Sequence, residues 1–262
     1  MKQREVSQDL LQFPPEVRPF LCGARLLDSS CSPAAQVWHA VGEEDLYLKR
    51  SRPGTLRREA AMTRWMHEKG MAAEVLLYLS GESDWLVTRA LAGEDGIAER
   101  YLLCPERLCR RMGELLRELH EGETVGCPVP DRTGDYLTGV EAGIAGGIWS
   151  PSRTVEARFS WKDRQEAVDL VREWGGALRR DTLIHGDFCL PNVMMNDWRL
   201  SGYIDLDNAG VGDRHIDLYW MVWSLTYNLK DGRWGDLFLD AYGREAVQPD
   251  LLRTVAACEC FG

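Results

Sequence analysis

The 262-residue sequence has no excess of positive charge, no apolar run of membrane-spanning length and no C-x-x-C pair. Lysine and arginine total 31 against 41 acidic residues, a net charge of -10, which argues against electrostatic binding to nucleic acid or to anionic lipid. A surplus of negative charge suits a polycationic ligand. Without some twenty consecutive apolar residues no membrane span is expected. The start, "MKQREVSQDLLQFPPEV", is polar and lacks the apolar stretch of a signal peptide. The eight cysteines are scattered, so they indicate neither a zinc site nor a disulfide framework. Free thiols in a reducing cytoplasm are the economical reading. Internal repeats and low-complexity tracts are also missing, and G-x-x-x-x-G-K-[ST] does not occur, which excludes a Walker A loop.

Local patterning divides the chain near Gly93, a candidate hinge. "QVWHAV" (Gln36–Val41) and "DLYLKR" (Asp45–Arg50) flank a turn containing Gly42 and read as a hairpin. "EVLLYLS" and "DWLVTRAL" around Gly81-Glu82-Ser83 read as a second. Between them, Leu56, Ala60, Thr63 and Met66 recur at helical spacing, and Gly70 gives a stop. Beyond "AGEDG" the pattern turns helical. Leu108, Met112, Leu115, Leu116 and Leu119 form one stripe, with Pro105 near its start. Val168, Val171 and Trp174 form another stripe. "DRHIDLYWMVWSLTYNL" is apolar enough to be buried, so Trp220 and Trp223 are expected in the core. The segment from Cys127 to Phe159, rich in Gly, Ser and Pro, has no readable pattern. His120 closes a helix, where a cation complements the dipole. The expectation is an α+β chain with an N-terminal antiparallel sheet carrying one helix (1–92) and a larger, mainly helical part (93–262).

One stretch breaks the apolar pattern at a cost. In "LIHGDFCLPNVMMNDWRLSGYIDLDNAG", His185, Asp187 and Asn192 interrupt a strand-like run, and Asp205 follows. An unpaired charge or amide there is expensive, so a function is implied. An aspartate in a loop can orient the proton of a substrate hydroxyl, and a following Asn with a further Asp offers hard oxygen ligands for Mg²⁺ beside nucleotide phosphates. "VMMN" and "LSGYID" read as strands turning at Asp197-Trp198. His185 is expected to brace the loop. Lys49 on a strand after Leu46 and Leu48 supplies a cation for phosphate, and Glu59 on the next helix can aim it. "SSCSPAAQV" (Ser29–Val37) supplies small residues that let backbone N–H groups approach phosphate. Taken singly, such a lysine is a solvated charge and such a loop a plain turn.

These residues are carried in segments that resemble one family. "SPAAQVWHAVGEEDLYLK", "RREAAMTRWMHEKG", "HGDFCLPNVMMNDWRLSGYID" and the closing "LFLDAYG…ECFG" look, in order, like the aminoglycoside phosphotransferases. The likeness is greatest to the 3′-O-phosphotransferases (kanamycin/neomycin kinases), which share the protein-kinase-like two-lobed fold. Glycine rather than arginine after His185 favours small-molecule kinases over protein kinases. The resemblance implies Asp187 as the catalytic aspartate, Asn192 and Asp205 as magnesium ligands, and Lys49, with Glu59, on the nucleotide phosphates. It further implies Ser32 over the β-phosphate, Tyr47 stacked on adenine, and the backbone of Arg89 and Leu91 at the adenine edge. Glu259 and the chain-end carboxylate of Gly262 are implied to hold the amines of the drug. ATP or GTP and Mg²⁺ are the implied cofactors, a polycationic aminoglycoside the partner, and no nucleic acid or membrane is expected. The chain departs from the family where Leu206-Asp207-Asn208 replaces the usual Gly-Arg, removing a cation and adding a carboxylate, and where Cys258 stands in place of an acidic substrate contact. The alternatives are a kinase of another small metabolite or antibiotic, such as a macrolide or an amino alcohol, and a nucleotide-binding regulator without turnover.

Overall fold

A computed structural model describes residues 4–6, 10–31, 33–151 and 159–262. The chain forms two compact units, Met1–Ala92 with Ser201–Asp207, and Gly93–Leu200 with Asn208–Gly262.

The first unit contains strands β1 (Arg4–Glu5), β2 (Arg25–Asp28), β3 (Gln36–Val41) and β4 (Leu46–Ser51), helix α1 (Arg57–Glu68), then β5 (Val75–Ser80) and β6 (Asp84–Arg89). The strands form one antiparallel sheet in the order β1-β2-β3-β4-β6-β5. Its two faces follow from the period of two along each strand. Trp38, Leu48, Trp85 and Val87 share the face packed with Phe13, and the Trp38 and Trp85 rings stack at 5.8 Å. Lys49 pairs with Leu86 across β4 and β6, on the other face. Leu86 packs there against Leu56 and Ala60. The alternation of β4 therefore turns Lys49 towards the α1 side of the sheet. Helix α1 has no side-chain cap of its own. Instead the buried carboxylate of Asp84 accepts the Leu56 N–H at 2.9 Å, together with the hydroxyls of Ser80 and Tyr78.

The second unit opens with β7 (Glu94–Asp95) and the short helix α2 (Glu99–Leu102). Helices α3 (Pro105–His120), α4 (Arg132–Ala145) and α5 (Arg164–Trp174) follow. Next come β8 (Thr182–Ile184), β9 (Val193–Asn196), β10 (Arg199–Tyr203) and β11 (Gly210–Gly212). Helices α6 (Arg214–Leu229), α7 (Arg233–Tyr242) and α8 (Pro249–Cys258) complete it. Strand β10 begins in this unit, and its last three residues belong to the first. The stripe on α3 is buried as its spacing predicts. Asp197 and Trp198 adopt φ of 48° and 67°, the left-handed pair of a tight hairpin between β9 and β10.

Helix α4 lies within the segment that has no readable pattern. Asp131 caps it through the Gly134 N–H, and Gly143 lies where a Cβ would fall 1.7 Å from the Phe261 carbonyl. Gly143 thus admits the closing segment of the chain, and the glycines of α4 together erase the apolar period. Ile216, Leu218, Tyr219, Met221, Val222 and Leu225 bury most of α6. Trp220 and Trp223 are only half-buried, contrary to the core position expected of them. They lie on the flank of α6, edge to face at 5.7 Å, and Trp223 stacks on the exposed Tyr227 at 5.1 Å. None of the eight cysteines forms a disulfide. No described helix is long and apolar enough to cross a membrane.

Candidate active site

In the first unit, Lys49 Nζ donates to Glu59 Oε1 at 3.0 Å and lies 2.9 Å from Oε2. Nζ also reaches Asp205 Oδ1, at 2.5 Å. The turn that delivers Asp205 is strained, with φ of 58°. Burial works against the charge on Lys49, but Glu59 and Asp205 outweigh it, and the ammonium is held well above its usual range. One residue before Glu59, Arg58 reaches both carboxylate oxygens of Asp207 at 3.3 Å. The carboxylate that departs from the family pattern is thus neutralised by an arginine of α1.

Tyr47 stacks on His39 with ring centroids 4.6 Å apart. The Arg89 N–H is already given to the Glu74 carbonyl, at 3.0 Å. The backbone of Leu91 bonds none of the described residues. Ser32 lies outside the described residues.

In the second unit, β8 pairs with β11 and ends at Ile184, so His185, Gly186 and Asp187 leave the strand as a loop. Gly186 has φ of 79°, and a Cβ there would lie 1.9 Å from the Asn208 carbonyl. Only glycine fits. Asn192 Nδ2 donates to the backbone oxygen of Asp187 at 2.9 Å and to its Oδ2 at 3.1 Å. Cys189 Sγ donates to Oδ1 at 3.2 Å. Burial and the charge of Asp187 push the Cys189 thiol far up, so it stays protonated. His185 braces the loop by accepting the Asp187 N–H on Nδ1 at 3.3 Å.

Beneath the loop, the fully buried carboxylate of Asp217 on α6 accepts the N–H groups of His185 and Gly186, at 2.7 Å each. His120 Nε2 bonds the same carboxylate at 3.1 Å, and His120 Nδ1 meets the Tyr242 hydroxyl at 2.8 Å. His120 is therefore no solvated helix-end cation, as its position suggested. Burial holds its pKa below the usual value, which favours a neutral ring linking α3, α6 and α7. Neither the support role of Asp217 nor that of His120 was recognised from the pattern. The signal was available: Asp217 is a carboxylate in an otherwise apolar helical run.

The phosphotransferase enzyme family matches residues 26–255. The chain is 39% identical over 260 residues to a probable aminoglycoside 3′-phosphotransferase of Lactococcus lactis, spanning 99% of this chain and 98% of that one. The chain belongs to the phosphotransferase enzyme family. A crystal structure of an aminoglycoside-3′-phosphotransferase of type VIII superposes with a TM-score of 0.71 at 24% identity, covering 96% of this chain and 95% of that one. An aminoglycoside phosphotransferase, APH(3″)-Id from Streptomyces rimosus, in complex with ADP and streptomycin, gives 0.73 at 20% identity over 97% and 99%. Both share the α+β fold.

Elsewhere in the second unit of this phosphotransferase, Glu259 follows α8, is 6% exposed and accepts the Tyr136 hydroxyl at 2.8 Å. Burial, then the charge of Glu259, raises the Tyr136 phenol well above its ordinary range, so it remains a donor. Gly262 is exposed, whereas Cys258 is fully buried among Val140, Val168 and Phe261 and presents nothing to a ligand. Arg132 at the start of α4 donates to Asn208 through Nε, at 2.9 Å, and Nη2, at 2.6 Å. A surface recess of about 980 Å³ beside Arg107, Trp198 and Trp234 contains none of these site side chains.

Each unit offers oxygen of the kind that a divalent cation shared with phosphate takes, the Asp205 carboxylate in the first and the Asn192 amide in the second. Burial raises the Glu59 carboxyl; the charge of Lys49 opposes the rise, and those of Asp205 and Asp207 add to it. With Nδ2 of Asn192 engaged by Asp187, its Oδ1 is left as a hard ligand. Among the described residues no group of three or more His, Cys, Asp or Glu could hold a metal alone. Sites that take Mg²⁺ with a nucleotide use one or two protein ligands and complete the shell with phosphate and water.

Proposed function

We propose that this phosphotransferase transfers the γ-phosphoryl group of ATP, or GTP, to a hydroxyl of an aminoglycoside, and that the 3′-hydroxyl is the acceptor. Identity of 39% with a probable aminoglycoside 3′-phosphotransferase, across 99% of the chain, carries the reading. Asp187 orients the acceptor hydroxyl and receives its proton. Because phosphoryl transfer passes through a loose transition state, positioning and charge stabilisation matter more than base strength. Lys49, aimed by Glu59, neutralises charge on the nucleotide phosphates.

Asn192 and Asp205 are the proposed Mg²⁺ ligands; Mg²⁺, when bound, supplies charge neutralisation at the phosphate oxygens. Tyr47 and the backbone at Arg89 and Leu91 receive the base, and Ser32 covers the phosphates. On the drug side, Glu259 and the carboxylate of Gly262 pair with ammonium groups, and Tyr136 holds Glu259 in place. The net charge of -10 favours such a polycation. Residues 1–92 are read as the nucleotide-binding part and 93–262 as the catalytic and substrate-binding part, acting in the cytoplasm, where the nucleotide is supplied.

The test is a panel of kanamycin, neomycin, streptomycin, a macrolide and an amino alcohol, with the phosphate position read by ³¹P and ¹H NMR. Phosphorylation of kanamycin at the 3′-hydroxyl is expected. Preference for streptomycin or for the last two compounds would replace the assignment. Asp187→Ala should abolish turnover and leave nucleotide affinity nearly unchanged.

A further inference from the structure

Both oxygens of the Asp187 carboxylate are engaged from within the same short loop. Asn192 Nδ2 holds Oδ2 at 3.1 Å, and the Cys189 thiol holds Oδ1 at 3.2 Å. The backbone fixes this thiol tightly. The Cys189 N–H donates to the Asp187 carbonyl at 2.8 Å, and the Cys189 carbonyl accepts the Asn192 N–H at 3.0 Å. The other acceptor within reach of the thiol, the Trp220 carbonyl, is farther away at 3.8 Å. Cys189 is 9% exposed, so water competes little for the bond.

We propose that Cys189 is a positioning residue for phosphoryl transfer, its S–H···Oδ1 bond fixing the plane in which Asp187 meets the acceptor hydroxyl. The inference rests on the reading of Asp187 as the catalytic aspartate. A carboxylate held at one oxygen alone can still rotate about its Cβ–Cγ bond, a soft two-fold torsion. The second hold removes that freedom before substrate arrives, the kind of preorganisation on which an orientation-dominated reaction depends. A thiol is a weak donor with one hydrogen, so it orients the oxygen and leaves a lone pair on it for the substrate proton.

The test is steady-state kinetics of Cys189→Ala, Cys189→Val and Cys189→Ser in the full chain, with kanamycin and ATP. Valine fills the space without a donor, and serine restores a donor. Alanine and valine variants should lose about tenfold in kcat, with KM for both substrates within about twofold. Serine should recover kcat to within about threefold of the parent. Thermal melting of each variant checks that the fold persists. Parent-like kcat in the alanine or valine variant overturns the inference, and so does a serine variant as slow as alanine. A change confined to KM also overturns it. Asp187→Asn separates the two claims: turnover surviving there defeats the reading of Asp187 itself, whereas its loss alongside an unaffected Cys189→Ala defeats only the role of the thiol.

Discussion

Asp217 holds Gly186 through the backbone: a carboxylate with no solvent exposure accepts the glycine N–H at 2.7 Å, and its other oxygen takes the N–H of His185. Asp217→Asn would set an amide NH₂ against an N–H or against the His120 ring. We expect a loss of about 3 kcal/mol in unfolding free energy by denaturant titration, the scale set by an unsatisfied buried donor. Turnover should fall by more than nucleotide affinity does. An Asn variant as stable as the parent would remove the loop support from Asp217.

Glu59 is 6% exposed and accepts a bond from the Lys49 ammonium, which we propose it aims. Glu59→Gln keeps the volume and removes the charge that opposes the pull of Asp205 on the lysine. Nucleotide Kd should rise by about tenfold, the effect of losing one charge-assisted bond of ~1.4 kcal/mol. Isothermal titration with a non-hydrolysable ATP analogue measures it, and unchanged affinity would show that Lys49 needs no partner.

The pair Arg58–Asp207 is a further target. Its side chains are 36% and 43% exposed, so solvent screens it and the coupling should be about 0.5 kcal/mol. A double-mutant cycle with Arg58→Ala and Asp207→Ala reads this term. The swap of Arg58→Asp with Asp207→Arg should recover part of the stability that either single change loses. Strict additivity of the two alanine changes would mean that the pair contributes nothing.

Asp84 links the start of α1 to β6, and its acid response has a definite sign. Burial raises its carboxyl, but bonds from Ser80, the Leu56 backbone and Tyr78 outweigh burial and leave the folded value below the ordinary one. Its contribution to stability is complete above the unfolded carboxyl value near pH 4 and is lost as pH falls through the lower folded value. The gap in unfolding free energy between the parent and Asp84→Asn should therefore shrink from pH 5 to pH 2. A gap that widens on acidification would reverse the assignment.

What could be read in the sequence was what repeats or what is costly. Leu46 and Leu48 alternating with Tyr47 and Lys49 gave both the strand and the face, because one side of β4 is packed and the other holds the lysine. The α3 stripe was equally plain. The polar interruptions at His185 and Asn192 stood out because burial makes them expensive, whereas Asp187 is half-buried and Asp205 exposed, so their spacing rather than their cost set them apart. Helix α4 was hidden because Gly134, Gly139 and Gly143 leave it without an apolar period; at Gly143 it is small size that lets Phe261 approach. His120 was misread because its partner, Asp217, lies 97 residues away, and spacing carries no trace of that bond. For the same reason Arg58 gave no sign that it would meet Asp207, 149 residues on. Local rules find elements and cost; they do not find distant partners.

The segment Ser201–Asp207 belongs with a unit whose remaining residues end at Ala92. During synthesis, then, the six strands and α1 emerge long before the aspartate that Lys49 grips. A ribosome-bound nascent chain stopped short of residue 205 carries the Lys49 ammonium with Glu59 but without Asp205, and the first unit is finished only when most of the polypeptide has been made.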